Sequence, residues 1–212
     1  MSTENPEQAG PTRPSTVAVL LAAGAGSRFV DVRHKLLAKL ESHGKTVIGR
    51  SLCNLIDAQI GPILVITGAL TRFDLAAHPT VAAYLADPNV TTHHNPMWAD
   101  GQSTSVRVAI DAARQIGAEA VVIGLGDQPF ITPDAWRSVA AGLGPITVAT
   151  YDGQRGNPVR LHADVWDQLP HDGDVGARSL MQRHPELVTE VSCSGSSADI
   201  DTLEDLHRWQ SN

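Results

Sequence analysis

Three short stretches of this sequence hold residue types that could act together on one ligand. In "LLAAGAGSRF", Gly24 and Gly26 let backbone N–H groups close on an anion with no side chain intervening, and Arg28 and Lys35 follow with positive charge. That order suits a polyphosphate. In "GLGDQPFI", Asp127 stands at the end of an apolar run between Gly126 and Pro129. A carboxylate facing a phosphate loop suits Mg²⁺, which takes few protein oxygens and keeps phosphate and water ligands. In "DIDTLEDL", a second acidic cluster offers an aspartate to complete such a site.

Each stretch also has a plainer reading. The glycines could form an ordinary strand-to-helix turn followed by solvated basic residues. Asp127 could be a turn former, and Thr202 or Asp201 could cap the last helix, whose dipole Glu204 and Asp205 would complement. A dinucleotide-binding loop fits poorly. Phe29 stands where the third glycine belongs, and the second strand ends "VITGAL" with no acid for a ribose hydroxyl. No Gly-Lys-Ser/Thr of a Walker A loop occurs.

The elements that must position these residues read as α/β. "TVAVLLA", "GPILVITG", "EAVVIGLGD" and "ITVATY" are continuously apolar, the pattern of strands buried on both faces. Helical spacing lies between them: Val47, Ile48, Leu52, Leu55 and Ile56 in one segment, Val106, Ala109, Ile110, Ala113 and Ile116 in another. Ser103 or Thr104 is the expected cap of that second helix, and Thr132 followed by Pro133 opens a third. "NPVRL" reads as a further strand, with short helices around 163–169 and 176–184 and a closing helix "TLEDLHRWQ". Alternating strands and helices predict a Rossmann-like, doubly wound, mainly parallel sheet. Ligands of such sheets bind beyond the carboxyl ends of the strands, which gathers the glycine loop and Asp127 along one edge. One domain is expected over residues 16–212, after a polar, Pro-rich tail at 1–15 that reads as disordered.

Composition narrows the partners. The chain has 212 residues and a formal net charge of −7, which argues against an extended nucleic-acid surface. No apolar run approaches the roughly 18 residues of a membrane span, and the N-terminus lacks a signal core, so the cytoplasm is the expected location. Cys53 and Cys193 form no Cys-x-x-Cys pair and read as packed thiols. The adjacent His93 and His94 would point opposite ways on an extended chain and read as surface or structural residues. Trp98 reads as a loop anchor, with stacking on a base or pterin as the alternative.

In order along the chain, "LLAAGAGSRF…HK", "GDQPFITPDAW", "GNPVRL", "GDVGARSLM" and "DIDTLEDL" resemble the MobA-like nucleotidyltransferases, most of all the molybdenum cofactor cytidylyltransferase branch. The likeness runs from about Val17 to the final helix. It implies a fold of the nucleotide-diphospho-sugar transferase type, with an NTP bound at the glycine-rich loop. Matched residue by residue, Leu21, Ala22, Ala23 and Gly24, continuing through Ala25 and Gly26, fall on the nucleotide-binding start, and Arg28 and Lys35 on triphosphate-contacting positions. Asp127 falls on the Mg²⁺ aspartate and Asp201 on the second metal-side acid. Ser103, Asp174 and Arg178 lie in segments matching those near the acceptor. Two departures stand out: Arg28-Phe29-Val30 replaces the usual Arg-x-Gly, with Arg33 as a partial substitute, and Leu203 replaces a proline.

The resemblance implies transfer of NMP, with CTP favoured by "LLAAG", to the phosphate of a molybdopterin-type acceptor, and a molybdoenzyme or its maturation factor as partner. Such an acceptor oxygen is already anionic near neutral pH, so no strong general base is required. Catalysis would rest on positioning and charge neutralisation by Mg²⁺, Arg28, Lys35 and Asp127. The alternatives are the same fold acting on a sugar or alcohol phosphate, and a nucleotide-binding maturation factor without turnover.

Overall fold

A computed structural model describes residues 15–26, 34–40, 44–170, 173 and 176–210. Residues 1–14 of the expected tail, Arg28, the departures at 30–33 and Asp174 lie outside the described residues.

The first strand, β1 (Thr16–Ala22), is apolar and buried from Val17 onward because both its faces are covered. Ala18, Leu20 and Ala22 face one helical layer, and Val17, Val19 and Leu21 the other. Around it lie β4 (Ile63–Thr67), β5 (Val90–His94), β6 (Ala120–Leu125), β7 (Ile146–Tyr151), β8 (Gln154–His162) and β9 (Val188–Ser192). They form one seven-stranded sheet in the order β5-β4-β1-β6-β8-β7-β9. β5, β4, β1 and β6 are mutually parallel, β8 runs antiparallel to both β6 and β7, and β9 is parallel to β7. A small hairpin of β2 (Lys39–Leu40) and β3 (Lys45–Thr46) stands apart from this sheet.

Two helical layers sandwich the sheet. On one face pack α1 (Val47–Ala58), α3 (Pro79–Leu85) and α5 (Pro133–Ala140), joined by α2 (Arg72–Ala76) and by α7 (Leu203–Gln210) through Leu206. The other face holds α4 (Gln102–Gln115), α6 (Gly176–Arg183) and the single turns around Trp166. Among the described residues no helix is long and apolar enough to cross a membrane.

Local signals set most helix starts. The Thr46 hydroxyl accepts from the Gly49 N–H at the head of α1, and Thr132 caps α5 ahead of Pro133, as its sequence predicts. At α7 the Thr202 hydroxyl accepts from the Asp205 N–H at 3.1 Å, while the Asp205 carboxylate accepts from the Thr202 N–H at 2.9 Å. Asp201 joins this cap only through its backbone N–H, which donates to the same Asp205 carboxylate at 3.2 Å. Helix α4 departs from expectation: neither Ser103 nor Thr104 caps it. Gly101, at φ 112°, takes the cap position without a side-chain bond, Ser103 lies buried inside the first turn, and the Thr104 hydroxyl donates back to the Gly101 carbonyl.

Candidate active site

The carboxyl ends of β1 and β6 meet where the Gly126 N–H donates to the Leu21 carbonyl at 2.8 Å. Beyond that point the chain after β6 turns, and α1 clamps the turn from below. Ser51 donates its hydroxyl to the Gly126 carbonyl at 2.9 Å, and the Asn54 amide donates to the carbonyls of Pro129 at 3.0 Å and Ile131 at 2.9 Å. Both side chains are buried, so the loop carrying Asp127 is fixed by bonds shielded from water. Neither residue was legible as functional in the sequence, since a buried serine and asparagine on a helix carry no motif.

Asp127 points into a cleft of about 210 Å³ lined by Leu21, Ala22, Gly24, Ala25, Gly26, Lys35, Leu36 and Asp201. Six of the seven described residues matched to nucleotide binding therefore share one cleft with both aspartates. Ala23 does not line it: its side chain is buried, and its carbonyl accepts from the Ala69 N–H at 3.0 Å.

Lys35 lies between the two acids. Its Nζ donates to Asp127 Oδ2 at 2.5 Å and to Asp201 Oδ1 at 2.6 Å. Burial works to depress the pKa of this ammonium, but the Asp127 charge and hydrogen bond, followed by those of Asp201, outweigh it and raise the value. Asp201 reaches the cleft because the backbone ahead of α7 is pinned there: the Ile200 N–H donates to the Asp127 carbonyl at 2.9 Å.

The glycines serve different ends. A Cβ on Gly24 would meet nothing within 4 Å, so it would project into open space, whereas a Cβ on Gly26 would lie 3.1 Å from the Lys35 side chain and 3.3 Å from the His34 ring. Gly26 also holds φ 62°, which favours glycine. His34 is buried and locks this corner. Its Nδ1 accepts from the Leu36 N–H at 3.2 Å, which leaves the proton on Nε2 to be donated to the Gly24 carbonyl at 2.8 Å. Burial holds the His34 pKa below its ordinary value, against the opposing pull of the Gly24 bond.

The donor set fits a hard divalent cation. Asp127 Oδ1 is buried and has no hydrogen-bond partner, although its sister oxygen is paired. Among the described residues no group of three or more His, Cys, Asp or Glu side chains is placed to hold a metal. Two carboxylates with room for phosphate oxygens and water match Mg²⁺ or Mn²⁺, which do not need an all-protein cage.

A second cleft, of about 390 Å³, lies on the α4 and α6 side of the sheet and shares Leu21 with the first. Its floor is apolar, from Ile123, Leu125, Val148 and Val159, and its polar side chains are Gln102, Arg155, Asn157, Arg178 and Gln182. Arg178 is exposed on α6. Ser103 is not part of this lining. Its N–H donates to the Gly173 carbonyl at 3.0 Å, and its hydroxyl is buried without a partner.

Comparison with known proteins gives a consistent picture. Residues 18–188 match the family model described as the MobA-like NTP transferase domain. The chain is 27% identical over 208 residues to nicotine blue oxidoreductase of Paenarthrobacter nicotinovorans, covering 92% of this chain and 96% of that protein. It is 29% identical over 202 residues to purine catabolism protein PucB of Bacillus subtilis, covering 91% and 94%. Among solved structures, Rv0371c of Mycobacterium tuberculosis superposes with a TM-score of 0.73 at 26% identity, over 95% of this chain and all of that one. Rv0371c has also been solved in complex with manganese.

Proposed function

Because the chain belongs to the MobA-like NTP transferase family, we propose that it transfers a nucleoside monophosphate, CMP from CTP, to the phosphate of a molybdopterin-type acceptor. The observation that carries this reading is the convergence of Lys35, Asp127 and Asp201 beside the Gly24–Gly26 loop. In the reaction an anionic oxygen of the acceptor phosphate attacks the α-phosphorus. The bond from that phosphorus to the β-phosphate bridge breaks, and pyrophosphate leaves. The attacking oxygen carries no proton near neutral pH, so the absence of a dedicated base among the described cleft residues is consistent with the reaction.

The residues divide the work. The backbone at Gly24–Gly26, with Lys35 and Arg28, holds the triphosphate. Leu21 and Ala22 shape the wall against which the nucleoside lies. Asp127 and Asp201 would hold Mg²⁺, which supplies positive charge to the phosphates as the pyrophosphate develops negative charge. Lys35, which pairs with both carboxylates in this structure, would turn its ammonium to the phosphate oxygens when the triphosphate binds. The second cleft, with Arg178 and Arg155, would receive the acceptor, its apolar floor under a flat heterocycle and its cations near the phosphate. We read residues 16–212 as one domain carrying both clefts, and a molybdoenzyme or its maturation factor as the recipient of the product.

The preference for CTP rests on the likeness of "LLAAG" to the cytidylyltransferase branch. A thermal-shift screen of CTP, GTP, ATP and UTP with Mg²⁺ or Mn²⁺ tests the donor. Pyrophosphate release with molybdopterin-type and sugar phosphate acceptors then tests the transfer. CTP alone should stabilise strongly, and release should require the pterin. Release with a sugar phosphate only would replace the acceptor, and nucleotide binding without release under any condition would overturn the enzyme reading.

A further inference from the structure

The turn that carries Asp127 also carries Gln128, whose side chain is buried and makes three hydrogen bonds. Its Nε2 donates to the Ser197 carbonyl and to Asp199 Oδ1, both at 2.8 Å, and its Oε1 accepts from the Asn157 amide at 3.0 Å. The orientation is dictated by the partners. Ser197 O and the Asp199 carboxylate only accept, so the amide NH₂ must face them, and the oxygen is left to Asn157.

These partners belong to different places. Ser197 and Asp199 lie on the segment that delivers Asp201 to Lys35, and Asn157 lines the second cleft. Asn157 is braced in turn, for its carbonyl accepts from the Tyr151 hydroxyl at 2.8 Å. Gln128 is therefore a rigid strut between the carboxylate pair and the wall of the neighbouring cleft. Asp199 is a third carboxylate close to Asp127 and Asp201, and the Gln128 amide gives it a partner of its own.

We propose that Gln128 is a positioning residue that couples the two clefts, so that a change at Asn157 alters metal binding at Asp127 and Asp201. The inference rests on the metal reading of those two aspartates. No other uncharged side chain of this length supplies two donors on one side and an acceptor on the other. Glutamate would set a carboxylate against Asp199, and methionine would leave all three partners unsatisfied.

Mn²⁺ affinity in the presence of CTP, followed by electron paramagnetic resonance, tests this without turnover. Gln128→Met and the isosteric Gln128→Glu should each weaken Mn²⁺ about tenfold or more, the scale usual when a group supporting a metal ligand is lost. Asn157→Ala touches neither aspartate, yet should weaken Mn²⁺ several-fold, and adding it to Gln128→Met should cost nothing further. Far-ultraviolet circular dichroism and a cooperative melt establish that each variant is folded. If Gln128→Met does not fold, Gln128→Glu takes its place in the cycle. Unchanged Mn²⁺ affinity in folded Asn157→Ala, or losses that multiply in the double variant, would overturn the coupling alone. Failure of the wild-type chain to bind Mn²⁺ with CTP would overturn the metal reading and the coupling together.

Discussion

The His34 ring donates from Nε2 to the carbonyl oxygen of Gly24, ten residues earlier, at 2.8 Å. One imidazole thereby ties the backbone of the Gly24–Gly26 loop to the turn that presents Lys35. His34→Leu removes this bond and the one from the Leu36 N–H, leaving the buried Leu36 amide unpaired. The expected cost is about 1–3 kcal/mol of stability, together with weaker CTP binding. Denaturant melts and nucleotide titration measure both. Unaltered CTP affinity in the folded variant would remove His34 from the positioning of this loop.

The same histidine gives a pH dependence. The unfolded chain takes up its proton near the ordinary value of 6.5, and the folded chain only at lower pH because burial disfavours the cation. Its contribution to stability is complete above about pH 6.5 and is lost as the pH falls through the depressed folded value. Melting temperatures between about pH 7.5 and about pH 5 should fall more steeply for the wild type than for the non-titrating His34→Gln. Parallel curves would contradict this.

Gly24→Ala and Gly26→Ala separate ligand space from backbone strain. At Gly24 the new methyl enters open cleft, so stability should hold while CTP affinity falls. At Gly26 it meets Lys35 and His34 in a left-handed conformation, at a cost of about 1–3 kcal/mol. Paired melts and CTP titrations distinguish the two, and equal loss of stability would defeat the distinction.

Asp127→Asn keeps the shape of the side chain and removes its charge. Turnover should fall about 100-fold or more, with the far-ultraviolet circular dichroism spectrum unchanged. Wild-type turnover with Mg²⁺ and the correct NTP would dismiss Asp127 as a metal ligand.

Arg178→Gln addresses the second cleft. The acceptor KM should rise about tenfold while the CTP KM stays constant. A rise confined to CTP would relocate Arg178 to the nucleotide.

The central strands were readable because burial on both faces writes an uninterrupted apolar run, as in Thr16–Ala22 and Ile63–Thr67. The edge strands were not. In β5 only Val90 is buried, and in β9 no residue is, so "VTTHH" and "VTEVS" lack a periodic apolar signature. Gly24, Lys35, Asp127 and Asp201 each had a plainer reading as a turn, a solvated base or a cap, and it was the order of the family motifs that singled them out; the structure gathers all four round one cleft. Whether Asp201 or Thr202 capped α7 was not, since both can cap a helix and only the fold shows Thr202 taking Asp205 as its partner. Gln128 and Asn157 were equally hidden, since a hydrogen bond between residues 29 apart depends on β8 lying beside β6.

That reversed strand has one more consequence. Because β8 runs against its neighbours, the tip of the β7–β8 hairpin stands at the same sheet edge as the carboxyl ends of β1 and β6. The tip is only Asp152 and Gly153, both at positive φ, the shortest connection a hairpin accepts. Residues inserted there would extend from the rim beside Arg155 and Gly156 while leaving every ladder bond of the core in place. The length of that loop can therefore vary independently of Gly24 and Asp127, which follow different strands, β1 and β6.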